Sequence, residues 1–295
     1  MANNIILTSD WHLRSQKPRC RLDENWLLAQ KNVLDQIASH ARERKADVVC
    51  IGDIFHSANE TTNEVIGMVQ TFAQDLSGFG KSLYILAGNH DLPQHNIGNL
   101  HRAAIGLLFK SRNICHIKDY PFKARHSAAD FDCEDDAEAE YVFKHVLVFP
   151  EKERLPPGAR AAKPSELFAR FKNAQCIFTG DYHKSFISRI GKQRLFNPGC
   201  IMRQAADMLE YRPSVIYFES YDAYERLWLD DGEGFVTDEY LEREEERAGR
   251  IEAFIERVKS NGDITFDFLE NVKSRMAENR LDHGIVNAIN ELLGE

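Results

Sequence analysis

Four short apolar runs in this chain each end in side chains able to hold a divalent cation. "IILTS" leads into Asp10 and His12, and "DVVCIG" leads into Asp53. "LYILAG" leads into Asn89, His90 and Asp91, and "CIFTG" leads into Asp181 and His183. A single carboxylate after a strand is most often a helix cap or a turn former. Together, D-x-H, G-D, G-N-H-D and G-D-x-H offer carboxylate, amide and imidazole donors, a set that suits divalent first-row metals. One carboxylate, with Asp53 the best candidate, could bridge two ions about 3.5–4 Å apart. Such a pair neutralises phosphate oxygens and activates a water for in-line attack, while a protonated side chain beside it donates to the leaving oxygen.

These donors can meet only if the strands that carry them lie side by side. Between the first two runs, Leu27, Leu28, Val33, Leu34, Ile37, Ala38 and Ala41 keep helical spacing. Between the second and third, Val65, Ile66, Val69, Phe72 and Leu76 do the same. Strand alternating with helix predicts βαβ units whose ligand residues gather at the C-terminal strand ends. Later, "YVFKHVLVF", "FISRI", "QRLFN" and "SVIYFES" read as strands with little helix between them, which predicts a second sheet packed on the first. The acidic segment "DFDCEDDAEAE" reads as a solvated hairpin tip or loop.

From Thr237 onward the pattern becomes helical. Thr237 is a capping residue, and Ile251, Phe254, Ile255 and Val258 form an apolar stripe. Shorter helical patterns follow around 264–278 and 283–293. The expected organisation is therefore a catalytic domain over 1–236 and a helical C-terminal region over 237–295.

The chain has 295 residues, 43% apolar and 28% charged, the composition of a soluble globular protein. Its net charge of -9 argues against a basic nucleic-acid-coating protein, but not against an enzyme whose metals meet the phosphates. Six cysteines without a CxxC pair predict a reduced, cytoplasmic chain. The opening "MANNIILTSD" has no basic region, and its apolar run is too short for a signal peptide or a membrane span.

"SDWH", "GDIFHS", "AGNHD", "GDYH" and "NPG" resemble the calcineurin-like metallophosphoesterase superfamily. "GDIFH", "GNHD" and "NPGCIMRQ" look most like the nuclease subunit of SbcCD-type DNA repair complexes and its phage relatives, and the resemblance covers roughly residues 4–220. It implies an α/β fold, a four-layer αββα sandwich with a C-terminal helical appendage, and two metal ions on the strand edges. It implies Asp10, His12, Asp53 and His183 as ligands of the first metal, with Asp53 bridging and Asn89 on the second. His90 matches the residue that stabilises the transition state or protonates the leaving group, and Asp91 would orient it. Asn197, Pro198 and Gly199 match a supporting loop.

Two positions depart from the family. Phe149, Pro150 and Glu151 stand where a histidine is usual after "HVLVFPE". His145 opens that run, about five residues or roughly 16 Å from its far end at strand rise. Asp181 occupies the first position of the usual GHxH, and is expected as a second-metal ligand, with Glu151 a further candidate. Carboxylate in place of imidazole favours Mn²⁺, with Mg²⁺ the alternative, over Zn²⁺; otherwise the second site is too poor to fill. His56, His95, Arg14 and Arg203 follow the motifs and read as polar loop residues or ion-pair formers, with substrate contact the competing role.

Three functions follow. The first is a DNA nuclease of the double-strand-break-repair type, with an SMC-like ATPase partner docked on the C-terminal helices. The second is a phosphatase or cyclic-nucleotide phosphodiesterase acting on a small substrate, suggested by the acidic balance and the lack of basic clusters. The third is a non-catalytic metal-binding protein acting through its helices, whose amphipathic faces also suit a homodimer. No membrane association is expected.

Overall fold

Apolar spacing and capping define the first βαβ unit. In the computed structural model, strand β1 (Ile5–Thr8) is fully buried, and helix α1 (Trp26–Arg44) buries Trp26, Val33, Leu34, Ile37, Ala38 and Ala41. Asn25 caps α1 by accepting the Leu28 N–H at 3.0 Å. Lys45, in the left-handed region at φ 50°, ends it. Strand β2 (Asp47–Cys50), helix α2 (Asn63–Ser77) and strand β3 (Leu83–Ile85) complete the second unit. The structure describes residues 4–122, 125–155, 158, 161–232, 234–239, 250–252, 276 and 284–287.

After a short helix α3 (Ala104–Leu108) come strands β4 (Ile114–His116), β5 (His126–Ala129) and β6 (Tyr141–His145). Helix α4 (Pro164–Arg170) precedes β7 (Cys176–Gly180), β8 (Phe186–Ile190) and β9 (Gln193–Asn197). Strands β10 (Ser214–Ser220) and β11 (Ala223–Trp228) close the first sheet. Its order is β11-β10-β1-β2-β3-β4, and the second sheet runs β5-β6-β7-β9-β8. Strands β1 to β4 are mutually parallel, as are β5, β6, β7 and β9, so the C-terminal ends within each set share one edge.

Three apolar layers hold the sandwich together. Ile6, Val48 and Cys50 face α1 and α2 on one side of the first sheet. Ile5, Leu7, Val49 and Ile51 point the other way, against Phe143, Phe178 and Phe196 of the second sheet. This is the period-two alternation of strands with both faces covered. Phe143 and Phe178 stack at 4.4 Å between centroids, and Phe218 meets Phe178 edge-on at 5.1 Å. Leu167, Phe168 and Phe171 of the α4 region cover the outer face of the second sheet with Val142, Ile177 and Leu195. The layers are therefore αββα.

The acidic segment is not a hairpin tip, because β5 and β6, which it joins, are parallel. Nor is it simply solvated. Asp130 accepts the Ala87 N–H at 2.7 Å and meets His116 at 3.0 Å, while Asp135 pairs with Lys144 and Arg170. The loop braces the chain beside the G-N-H-D segment.

The chain divides into two compact units, Met1–Thr237 and Asp238–Glu295. In the second, residues 239, 250–252, 276 and 284–287 are helical, and the rest of the expected C-terminal helices lies outside the described residues. No helix among the described residues is long and apolar enough to cross a membrane.

Candidate metal centre

The ligand candidates meet where the two parallel edges face each other. Asp10 and His12 follow β1, Asp53 follows β2, and Asn89 and His90 follow β3. His145 ends β6, and Asp181 and His183 follow β7. Ser9 bridges Cys200 in parallel register, which ties the edges together. Glycine permits the close approach: a Cβ on Gly88 would lie 2.1 Å from Asp53 Oδ1, and one on Gly180 would lie 2.3 Å from the Ile51 carbonyl oxygen. Asp10, His12, Asp53 and Asp181 all have positive φ, at 51°, 45°, 55° and 79°. Non-glycine residues in this region each cost about 1–3 kcal/mol, and such strain collects at functional sites.

Among the described residues three groups of donors lie within reach of single ions: Asp10, His12 and His183; Asp10, Asp53 and His145; and His12, His56 and His90. His12 Nε2 faces His183 Nε2 at 3.1 Å. His145 donates through Nδ1 to the Ile51 carbonyl at 2.7 Å, which leaves Nε2 to present a lone pair in the neutral ring. That nitrogen lies 2.9 Å from Asn89 Oδ1 and 3.4 Å from Asp53 Oδ2. Electron-pair donors facing each other this closely repel unless a proton or a cation sits between them.

Asp53 stands at the centre. Its Oδ1 accepts the His90 N–H at 2.9 Å, while Oδ2 is buried with no hydrogen-bond partner. That oxygen lies 3.7 Å from His12 Nε2 and 3.4 Å from His145 Nε2, between the two donor sets. A buried, unpartnered carboxylate oxygen is costly in the absence of a cation. The residues present therefore fit a pair of divalent ions, with Asp53 Oδ2 lying between the imidazoles of His12 and His145.

The protonation pattern reflects the same crowding. Burial pushes the Asp53 carboxyl up, but His145, His12 and His90 outweigh it and hold it below the usual range. Burial opposes charge on His145, yet Asp53 and Asp10 raise it well above the ordinary histidine value. Burial lowers His12 well below that value and pushes Asp10 up to about 6. At Asp10 and His145, protons therefore compete with cations for the donor atoms.

His145 joins the centre from a position where the sequence does not lead one to expect it. In "YVFKHVLVFPE" the strand ends at His145 rather than at Phe149, because Val146 and Leu147 leave the ladder. The histidine is therefore at the strand edge, not at its buried start. Glu151 is not at the centre; its carboxylate accepts from Ser165 Oγ at 2.9 Å, at the start of α4. No signal in the sequence marks His145; the register of β6 against β7 does. A five-residue β6 in register with β7 sets His145 opposite Gly180, one residue before Asp181.

Asp91 also differs from expectation. It accepts from the N–H groups of Phe55 at 2.9 Å, Gly88 at 2.9 Å and Ile54 at 3.3 Å, fastening the loop after β2 to that after β3. Burial and the neighbouring Asp53 push its pKa up to about 7. The His90 ring is held instead by the His56 carbonyl, which accepts from Nδ1 at 2.7 Å. Asp181 donates its N–H to Asp10 Oδ1 at 3.0 Å, and its carboxylate belongs to none of the three donor groups. Asn197 donates to the carbonyls of Tyr182 at 2.6 Å and Lys184 at 3.1 Å, which steadies the loop bearing His183. Arg203 is an ion-pair former, bound to Asp231 at 2.7 Å.

Solved structures similar to this chain include a dimetal phosphatase from Danio rerio, 11% identical, covering 79% of this chain and 97% of that one, with a TM-score of 0.48. A novel archaeal phosphodiesterase is 13% identical, covers 77% and 99%, and gives a TM-score of 0.39. A putative 5'-nucleotidase from Staphylococcus aureus is 14% identical, covers 80% and 56%, and gives 0.43. No curated protein matches the chain. The family model for the calcineurin-like phosphoesterase superfamily domain matches residues 4–216. With that match covering β1 to β9 and every donor described above, the chain belongs to the calcineurin-like phosphoesterase superfamily.

Proposed function

We propose that this protein is a two-metal phosphodiesterase that cleaves DNA. The observation that carries the two-metal reading is the buried, unpartnered Asp53 Oδ2 between the Nε2 atoms of His12 and His145. Asp10, His12, Asp53 and His183 would hold one ion; Asp53, Asn89 and His145 would hold the other. When bound, the ions supply Lewis acidity and a water nucleophile at neutral pH. The carboxylates and the Asn89 oxygen make a hard site, which favours Mn²⁺, with Mg²⁺ the alternative.

The chain's own residues do the rest. The His56 carbonyl fixes the His90 ring through Nδ1, leaving Nε2 as the ring atom that delivers a proton to the leaving oxygen. Asp91 keeps the Asp53 and Asn89 loops in register. His145 weighs against a non-catalytic role, since it restores an imidazole to the second donor set.

DNA as substrate rests on the motif forms "GDIFH", "GNHD" and "NPGCIMRQ". An SMC-like ATPase partner, or a second copy of the chain, is assigned to the helical residues after Thr237, and the cytoplasm to a protein whose six cysteines are all free. The second reading, a small-substrate phosphoesterase, draws support from the net charge of -9. The test is hydrolysis by the purified protein with Mn²⁺. Linear DNA and bis(p-nitrophenyl) phosphate are both cleaved in the proposed reading. Cleavage of the chromogenic diester and of nucleotides, but never of DNA, selects the second reading. Cleavage of neither contradicts both.

A further inference from the structure

Among the described residues Arg14 is a cation without a counter-ion, beside the metal centre. Among the described residues no carboxylate lies within ion-pair distance of its guanidinium, and its Nε is buried without a hydrogen-bond partner. Glu60 acts on it only at longer range. The contrast with the other arginines of this region is sharp. Arg21 is consumed by Asp23 at 2.7 Å and Asp231 at 3.0 Å, and Arg203 by Asp231. A partly buried guanidinium left unneutralised is costly unless an anion arrives.

Its position is fixed from both sides. The Arg14 N–H donates to Gln30 Oε1 at 3.0 Å, and its carbonyl accepts from Trp26 Nε1 at 3.0 Å and Gln30 Nε2 at 2.9 Å. Its side chain donates through NH1 to His56 Nε2 at 2.9 Å. The His56 ring lies 5.7 Å from that of His12 and 5.8 Å from that of His90, between centroids. The guanidinium therefore stands against one imidazole of the cluster, His56, with its Nε unused.

We propose that Arg14 binds a second phosphate of the substrate, adjacent in the strand to the one that is cleaved. The planar guanidinium suits phosphate oxygens, which accept two parallel N–H bonds. Such a contact selects polynucleotide over a simple diester and partly offsets the acidic surface. This inference rests on the DNA phosphodiesterase reading.

The experiment compares wild type, Arg14→Gln and Arg14→Lys on a single-stranded oligonucleotide and on bis(p-nitrophenyl) phosphate, with Mn²⁺ throughout. The diester has one phosphate, so it reports the metal centre and the integrity of the fold. Arg14→Gln should raise KM for the oligonucleotide by about tenfold or more relative to its effect on the diester, with kcat for the oligonucleotide little altered, as expected for loss of one charged hydrogen-bonded contact. Arg14→Lys should recover part of that loss. Equal effects on both substrates, or none on either, overturn the inference while leaving the enzyme reading intact. Failure of wild type to cleave the oligonucleotide overturns the DNA reading and this inference with it.

Discussion

His145 Nε2 lies 2.9 Å from Asn89 Oδ1, although the two side chains arrive from different sheets. His145 ends β6 of the second sheet, and Asn89 follows β3 of the first. Neither strand alone could form a metal site. Their contact exists because small residues, Gly52, Gly88 and Gly180, let the two edges approach. If this pair belongs to the second ion, His145→Ala should lower the Mn²⁺ stoichiometry from two to one. Affinity at that site should fall by more than the about 10- to 100-fold typical of losing an outer-shell partner. Isothermal titration with Mn²⁺ measures both quantities, and an unaltered stoichiometry would remove His145 from the site.

His90 and Asp91 should separate cleanly when mutated. His90→Ala should lower kcat by about 10²- to 10⁴-fold, the range for a lost general acid, while both ions remain bound. Asp91→Ala leaves the N–H groups of Phe55, Gly88 and Ile54 without their acceptor. It should cost about 3 kcal/mol or more of stability, and metal affinity with it. Urea unfolding of the two variants distinguishes them: His90→Ala should unfold like wild type, and Asp91→Ala at clearly lower urea.

Metal affinity should rise with pH. Asp10, raised to about 6 by burial, carries its proton in the metal-free fold below that pH. A cation must displace this proton, so affinity should fall by up to about tenfold per pH unit below about 6. Burial disfavours a proton on His145, but Asp53 and Asp10 outweigh it and keep the proton there to higher pH. The rise should therefore continue above pH 6 in wild type and level off earlier in His145→Ala. Mn²⁺ titrations from pH 5 to pH 8 give the slopes; an affinity flat across that range would contradict the assignment.

Gly88 should tolerate no side chain. An added Cβ would sit 2.1 Å from Asp53 Oδ1 and 2.4 Å from the Asp53 backbone nitrogen, so Asp53 must move. Gly88→Ala should cost about 1–3 kcal/mol of stability and should weaken both ions together, since Asp53 faces both donor sets. Thermal unfolding with and without Mn²⁺ reads this out: the gain in Tm on adding metal should shrink relative to wild type.

Local pattern carried most of the architecture. The helically spaced stripe from Leu27 to Ala41 lies in α1, with Leu28 left exposed, and "FISRI", "QRLFN" and "SVIYFES" are β8, β9 and β10 residue for residue. Strands β4, β5 and β11 went unread. "ICH" and "HSAA" are too short to show alternation, and "AYERLW" is an edge strand with mostly polar or half-exposed positions. The donors that follow β1, β2, β3 and β7 could be read from sequence because each comes directly after an apolar run and a small residue. His145 could not, because the apolar run continues past the point where the strand stops. What ends β6 there is tertiary: its Nδ1 bonds the Ile51 carbonyl of the other sheet. The same holds for His56, whose role comes from its backbone carbonyl under His90.

The central claim is that Asp53 Oδ2 lies between two ions, the second of them held by His145. Anomalous diffraction from a crystal soaked in Mn²⁺ tests it most directly. The account predicts two peaks about 3.5–4 Å apart, one among Asp10, His12 and His183 and one among Asn89 and His145, with Asp53 touching both. A single peak, with His145 Nε2 still against Asn89 Oδ1, would contradict it.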